Sequence, residues 1–172
     1  MPQIWINWAR HRFVTGNEAG ARELLARAMK VLEQRKHLET VSKFAILEFK
    51  HGTVERGRTM FEGIVSSYPK RVDMWNMYLD QEISRGTCAQ AVVVVSARVS
   101  PQRVTHILSF RAGDVDTARR LFERATSLKL SSKKMKFFFK KFLAFEREHG
   151  SKQTVREVTE RARAYVESVL QN

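Results

Sequence analysis

A glycine placed five residues ahead of a small or apolar residue that starts an amphipathic stretch recurs along this chain, and no other feature restricts its fold as tightly. Gly16 precedes Ala21 in ARELLARAM, Gly52 precedes Gly57 in GRTMFEGIV, Gly113 precedes Ala118 in ARRLFERAT and Gly150 precedes Val155 in VREVTERAR. The first two glycines are 36 residues apart and the last two 37, and Gly86 follows Gly52 by 34. Periods of this size predict stacked helical hairpins. In GDVDTARRLFERA, Gly113 can take the left-handed conformation that ends one helix, and Asp114 can cap the next. Ala118, Leu121, Phe122 and Ala125 then fall at i, i+3, i+4 and i+7, the spacing of one buried face. The expected fold class is all-α, with antiparallel hairpins stacked as an α-solenoid.

The apolar positions place the other helices. Ile4, Trp5, Trp8 and Phe13 suggest a first helix that starts without an N-cap, as if cut from something longer. A helix over about 18–32 buries Ala21, Leu24, Leu25, Ala28 and Leu32, and a polar turn from Glu33 to His37 leads to the next. That helix carries Leu38, Val41, Phe44, Ala45 and Phe49 and stops at Gly52. Thr53 can cap its partner, whose face is Val54, Met60, Phe61, Ile64 and Val65, and Pro69 after Tyr68 closes the hairpin. Asp73 opens a third such helix with Trp75, Tyr78, Leu79 and Ile83, and Gly86 should end it. The stretch from Thr87 to Gly113 then breaks the period: it is 27 residues long, holds three arginines and no acidic residue, and has a β-branched run, Ala91 to Val95, that favours strand over helix. Removing it joins Gly86 to Asp114 and restores the five-residue offset, so it reads as an insertion of loop character, an alternative exon or translated intron being one conjecture and an ordinary species-specific loop the other. The expected organisation is repeats at 1–86, the insertion at 87–113 and further repeats at 114–172.

At 100° per residue, Met135, Phe138, Phe139, Phe142 and Phe145 share an arc of about 120° and form the buried face of the next helix. Lys133, Lys134, Lys136, Lys140 and Lys141 fall opposite, with Phe137 among them. Glu146 lies on the apolar side and needs a cationic partner, such as an arginine from a neighbouring helix. Arg119 and Arg120 should split, one pairing with such a carboxylate and one facing solvent. After Gly150 and a Ser151 cap, the last helix is expected to bury Val155, Val158, Ala162, Tyr165 and Val169.

Charge sets the expected partners. With 31 Lys and Arg against 18 Asp and Glu, the net charge is +13 and the pI about 10.4, which predicts attraction to polyanions, nucleic acid foremost. No apolar run approaches the ~18 residues of a membrane span, and no signal-peptide core opens the chain, so a soluble intracellular protein without a membrane partner is expected. One cysteine, Cys88, excludes an intrachain disulfide. The five histidines show no ligand spacing, although His51 and His149 stand before helix-ending glycines, where a cation favours the dipole. Neither a phosphate-binding glycine loop nor a nucleophile elbow is present, so no enzyme activity, cofactor or metal is expected.

The paired-helix register, the aromatic–Glu pair Phe145-Glu146, the looser Leu47-Glu48 and the ARRLFERA-type helix resemble HAT, or half-a-tetratricopeptide, repeats of RNA-processing proteins. KFAILEF at 43–49, GRTMFE at 57–62, SYPKR at 67–71, DMW at 73–75, LFERA at 121–125 and MKFFFKKFL at 135–143 further resemble the C-terminal repeats of the ribosomal RNA processing protein five family. The resemblance implies a HAT/TPR-like solenoid in a nuclear, nucleolar factor for pre-rRNA cleavage on the small-subunit pathway. Its implied partners are ribosome-assembly proteins and pre-rRNA or snoRNP components. In the family, OB-fold RNA-binding domains precede these repeats, and this chain contains none.

The repeat-defining residues are then Gly16, Gly52, Gly86, Gly113, Gly150, Trp75, Phe122, Phe138, Phe142 and Glu146. Candidate RNA contacts are Lys133, Lys134, Lys136, Phe137, Lys140 and Lys141, the lysines neutralising phosphates and Phe137 stacking on a base. Lys70 and Arg71 form a second, weaker patch. Three functions remain open: a scaffold that docks assembly factors, a sequence-nonspecific RNA-binding module, and an oligomerisation module using the uncovered Trp5 and Trp8.

Overall fold

The computed structural model describes residues 1–95 and 115–170, with side chains described for 1–85 and 115–170, and short turns join the helices within each of these two stretches. All regular structure among the described residues is helical: α1 (Pro2–Val14), α2 (Glu18–Val31), α3 (Gln34–His51), α4 (Val54–Ser67), α5 (Val72–Val95), α6 (115–126), α7 (Ser132–His149) and α8 (Lys152–Leu170). The chain forms two compact units, Met1–Gln81 and Glu82–Asn172.

In the first unit α3 packs on both helices of the α1–α2 hairpin and pairs with α4. Ile6, Ala9, Phe13, Ala21, Leu24, Phe44 and Leu47 form one core cluster, with Trp5, Leu25 and Met60 at its edge. Phe49, Phe61 and Tyr78 build a second, aromatic layer, in which Phe61 and Tyr78 stack at 5.1 Å and 6°. The Trp75 indole is buried and donates to the Pro69 carbonyl at 3.0 Å, which pins the turn that the proline closes. In the second unit Phe122 of α6 stacks on Phe142 of α7 at 4.8 Å, beside Phe145, and Phe139 meets Tyr165 of α8.

Several expectations are corrected. The buried face of α1, under α3, adds Ile6 and Ala9 to Phe13, whereas Ile4 and Trp8 are exposed. Trp5 and Trp8 stack on each other at 6.2 Å, with the Arg12 guanidinium over Trp8. The polar turn before α3 shrinks to Leu32 and Glu33, since Gln34 to His37 are already helical. Thr53 occupies the N-cap of α4 without a side-chain cap bond, while Ser151 does cap α8, its hydroxyl accepting from the Thr154 amide at 3.2 Å. The helix expected to stop at Gly86 continues to Val95, which also removes the strand reading of Ala91 to Val95. A glycine inside a helix costs only about 1 kcal/mol relative to alanine, and extending an established helix avoids a new nucleation step. Gly113, Asp114 and the rest of the expected insertion, 96–113, lie outside the described residues. Of the residues assigned to the buried face of α8, only Val158 is buried, and Val169 is exposed.

The repeat glycines are not all required for the same reason. Gly16 has φ of +77° and is a left-handed stop. Gly52 and Gly150, with φ of −113° and −99°, are not, so backbone freedom does not explain them. Space does: a Cβ on Gly52 would run into the Glu48 carboxylate, and one on Gly150 into the Glu146 carboxylate. Each glutamate stands four residues before its glycine and folds back beneath it. There Glu48 accepts from Arg22 Nε at 2.8 Å and from the Thr53 amide at 3.1 Å, and Glu146 accepts from Arg119 Nε at 2.7 Å. Both arginines lie six residues after a repeat glycine, on the helix just before the glutamate's own, α2 before α3 and α6 before α7. The unit is therefore Glu-x-x-x-Gly clamped by an arginine from the helix before it. Glu82, four residues before Gly86, is likewise buried. The expectations for Glu146 and for Arg119 with Arg120 hold: Arg119 takes Glu146 and Asp116, and Arg120 faces solvent. Hydrogen bonds to Glu48 and Glu146 hold the two arginines above their ordinary pKa, against the opposing effect of burial.

Two consequences can be measured by chemical denaturation. Arg119→Ala strands the fully buried Glu146 carboxylate and should cost about 3 kcal/mol, the low end for a broken buried pair because about a quarter of Arg119 is exposed, while Arg119→Met with Glu146→Leu should restore most of it. Gly150→Ala should destabilise by steric conflict although its φ suits any residue, whereas Gly63→Ala in α4, where an added Cβ meets nothing within 4 Å, should stabilise by about 0.5–1 kcal/mol.

Candidate functional site

Helix α7 sorts its residues by angle. Met135, Phe138, Phe139, Phe142 and Phe145 are buried, as the periodicity requires, and Lys133, Lys134, Lys136 and Lys140 are exposed, with Lys141 half-buried. Phe137 is 43% exposed in the middle of this basic face and meets Phe138 edge-on at 5.7 Å, so one side of its ring is used and the other faces solvent.

The start of α7 is more positive than its lysines alone make it. The first turn has no acidic residue and Ser131 gives no side-chain cap bond, so Lys133 and Lys134 sit beside the positive end of the helix dipole. Cations there repel the helix's own field, and an incoming anion would relieve that repulsion. Towards the other end, the exposed Glu148 shares the basic face and limits it to the first turns. Lys136 and Lys140 differ from the remaining lysines in bordering a groove of about 580 Å³ between α7 and α8. Its floor is apolar, from Phe139, Leu143, Tyr165, Val166 and Val169. Nothing in the periodicity had marked this groove, because the α8 residues that line it read as core.

Lys70 and Arg71 lie in the turn between α4 and α5, in the first unit. Arg71 is already engaged: its guanidinium donates to both Asp73 oxygens, at 2.9 and 2.7 Å. Those bonds from Arg71 hold Asp73 below the ordinary carboxylate pKa, although its partial burial opposes the shift. The stabilisation is thus present above the unfolded-state pKa and is lost as pH falls through the lower folded-state value, and the exposure of the pair keeps it small. With its charge answered locally, Arg71 is a poorer phosphate ligand than the α7 lysines.

Among the described residues no group of three His, Cys, Asp or Glu side chains could hold a metal ion, and no helix is long and apolar enough to cross a membrane. His149, at the end of α7, packs its ring on Phe145 at 5.1 Å.

Sequence comparison adds the kinship. No protein-family model matches the chain. The rRNA biogenesis protein RRP5 of Arabidopsis thaliana is 42% identical over 154 residues, which are 90% of this chain and 7% of that protein. The rrp5 protein of Schizosaccharomyces pombe is 38% identical over 96% of the chain and 8% of its own length, and the human Protein RRP5 homolog is 33% identical over 96% and 7%. The chain therefore spans less than a tenth of these relatives, yet matches them nearly end to end. An all-α chain of repeated hairpins, with the KFAILEF, DMW and MKFFFKKFL segments in order and identity of this extent, belongs to the RRP5 family of rRNA biogenesis proteins.

Proposed function

We propose that this segment is a non-catalytic helical-repeat scaffold in pre-rRNA processing and small-subunit assembly, acting in the nucleolus. Other assembly factors dock on its hairpins, and the basic face of α7 contacts pre-rRNA without reading its sequence. The observation that carries the reading is the division of α7 into a buried face, apolar but for the paired Glu146, and an exposed face of lysines centred on Phe137, in a chain of net charge +13. The names of the relatives support the process, and the surface chemistry supports the mode. Lysines that project from a rigid helix meet phosphates, and a half-exposed aromatic ring stacks on any base. Lys133 and Lys134 add the helix dipole to this attraction, and Lys70 contributes little, since Arg71 beside it is paired.

The test is the affinity of the chain for a single-stranded pre-rRNA fragment across a salt series. Lys136→Glu, Lys140→Glu and Lys141→Glu together should lower affinity at least tenfold at physiological salt and flatten the slope of log affinity against log salt by about 0.7 for each phosphate that is no longer neutralised. Binding untouched by the triple variant would remove RNA contact from α7 and leave docking alone. Phe137→Ala should weaken binding about tenfold at every salt concentration, because stacking carries no charge, and Lys70→Glu should change it less than twofold.

A further inference from the structure

The first hairpin shows what this fold does with the groove between two paired helices. Helix α3 lies on α1 and α2, burying Ile6, Ala9 and Phe13, which stand ten, seven and three residues before Gly16. It brings Glu48 onto Arg22, six residues after that glycine. Counting from Gly150, the same places in the α7–α8 hairpin hold Lys140, Leu143, Arg147 and Arg156. None of these four is buried, and the apolar floor beside them is open.

The substitutions say what kind of helix belongs there. Where the first hairpin presents Ile6 and Phe13, the last presents Lys140 and Arg147, with Lys136 one turn further along. Three cations border an apolar floor. Arg156 holds the register of Arg22 and Arg119, each of which takes a glutamate from the helix after its own, and Arg156 is exposed with no carboxylate partner among the described residues. A second copy of α1 fits poorly, because Arg12 stands where α3 and α7 carry their glutamate, four residues before the repeat glycine.

We propose that the α7–α8 groove docks an acidic amphipathic helix of a partner protein, its apolar face on Leu143, Tyr165 and Val166, its acidic flanks against Lys136, Lys140 and Arg147, and one glutamate on Arg156. The inference rests on the scaffold reading and names the chemistry of one partner of that scaffold. Both the apolar area and the charge pattern are needed. Apolar packing supplies affinity, and the cations exclude helices with basic flanks, including helices like the chain's own α3 with Lys36, Lys43 and Lys50.

The test uses the full chain and two labelled 21-residue peptides based on residues 33–53, one with the natural sequence and one with Lys36, Lys43 and Lys50 replaced by glutamate. Fluorescence anisotropy should show saturable micromolar binding of the acidic peptide and at least tenfold weaker binding of the natural one. Arg156→Glu in the chain, or Glu48→Gln in the peptide, should weaken it about tenfold, and Val166→Asp, at a half-exposed position, should abolish it. A circular dichroism melt of each variant confirms that the fold is intact. Equal binding of both peptides, no binding, or binding unaffected by Val166→Asp would overturn the proposal. The RNA salt series is run on the same Val166→Asp protein: retained RNA affinity without peptide binding supports a separate helix site, and joint loss would overturn it by making the groove an RNA seat. Failure of the peptide arm with an intact RNA arm would leave the scaffold's RNA contact standing.

Discussion

A buried carboxylate gripped by an arginine from the preceding helix is the constraint on which the packing of the paired helices depends. Glu48 with Arg22 and Glu146 with Arg119 are the same joint twice, and the glycine four residues after each glutamate is small because the carboxylate fills the space beneath it. Taking a carboxylate out of water costs several kcal/mol, and the arginine returns roughly that much when the geometry is good. The joint therefore adds little net stability where it is correctly formed. Its effect is on alternatives: any slip of one helix against the next by a helical position would leave a charge buried and unpaired. Apolar faces made of Phe, Leu, Ala and Val are tolerant of such slips, and the charge pair is not.

The same economy of charge shapes the surface. Acidic residues are the minority, 18 against 31 basic ones, and Glu48, Glu82 and Glu146 are withdrawn into the interior. What remains outside is more uniformly basic than composition alone suggests. Helix α7 gathers this effect: its buried side carries Glu146 and five large apolar residues, and its outer side carries five lysines around Phe137. One helix thus packs its unit together on one face and presents positive charge on the other.

The hairpins were legible because their signals are local. Heptad-like spacing placed the faces of α4 and α7, Phe138, Phe139, Phe142 and Phe145 proved buried one by one, and an acidic residue on an apolar face foretold the Arg119 partner of Glu146. What failed depended on neighbours. The largest residues of α1 placed the helix without giving its buried face, since Ile6 and Ala9 are inside only because α3 lies over them. Val169 has the spacing of a core residue and is exposed because no helix covers that end of α8 among the described residues. Gly86 looked like a stop because glycine ended other helices, yet what makes glycine necessary at Gly52 and Gly150 is a contact with a glutamate side chain, which no propensity encodes. In the candidate site, the lysines and Phe137 were readable from the helical projection. The groove beside them was not, since it exists only where two helices leave apolar residues open together.

The positions of the tryptophans give the molecule a built-in optical asymmetry. All three, Trp5, Trp8 and Trp75, belong to the unit Met1–Gln81, and the unit Glu82–Asn172 has Tyr165 as its only tyrosine. The stacked pair on α1 is partly in water, while Trp75 is enclosed and bonded to the Pro69 carbonyl. Indole emission is therefore a private signal of the amino-terminal unit, with a solvated and a dry component, whereas far-ultraviolet ellipticity counts helices in both units. The two spectra, taken on one sample, divide the melting of the chain into its halves without a label, a truncation or a substitution.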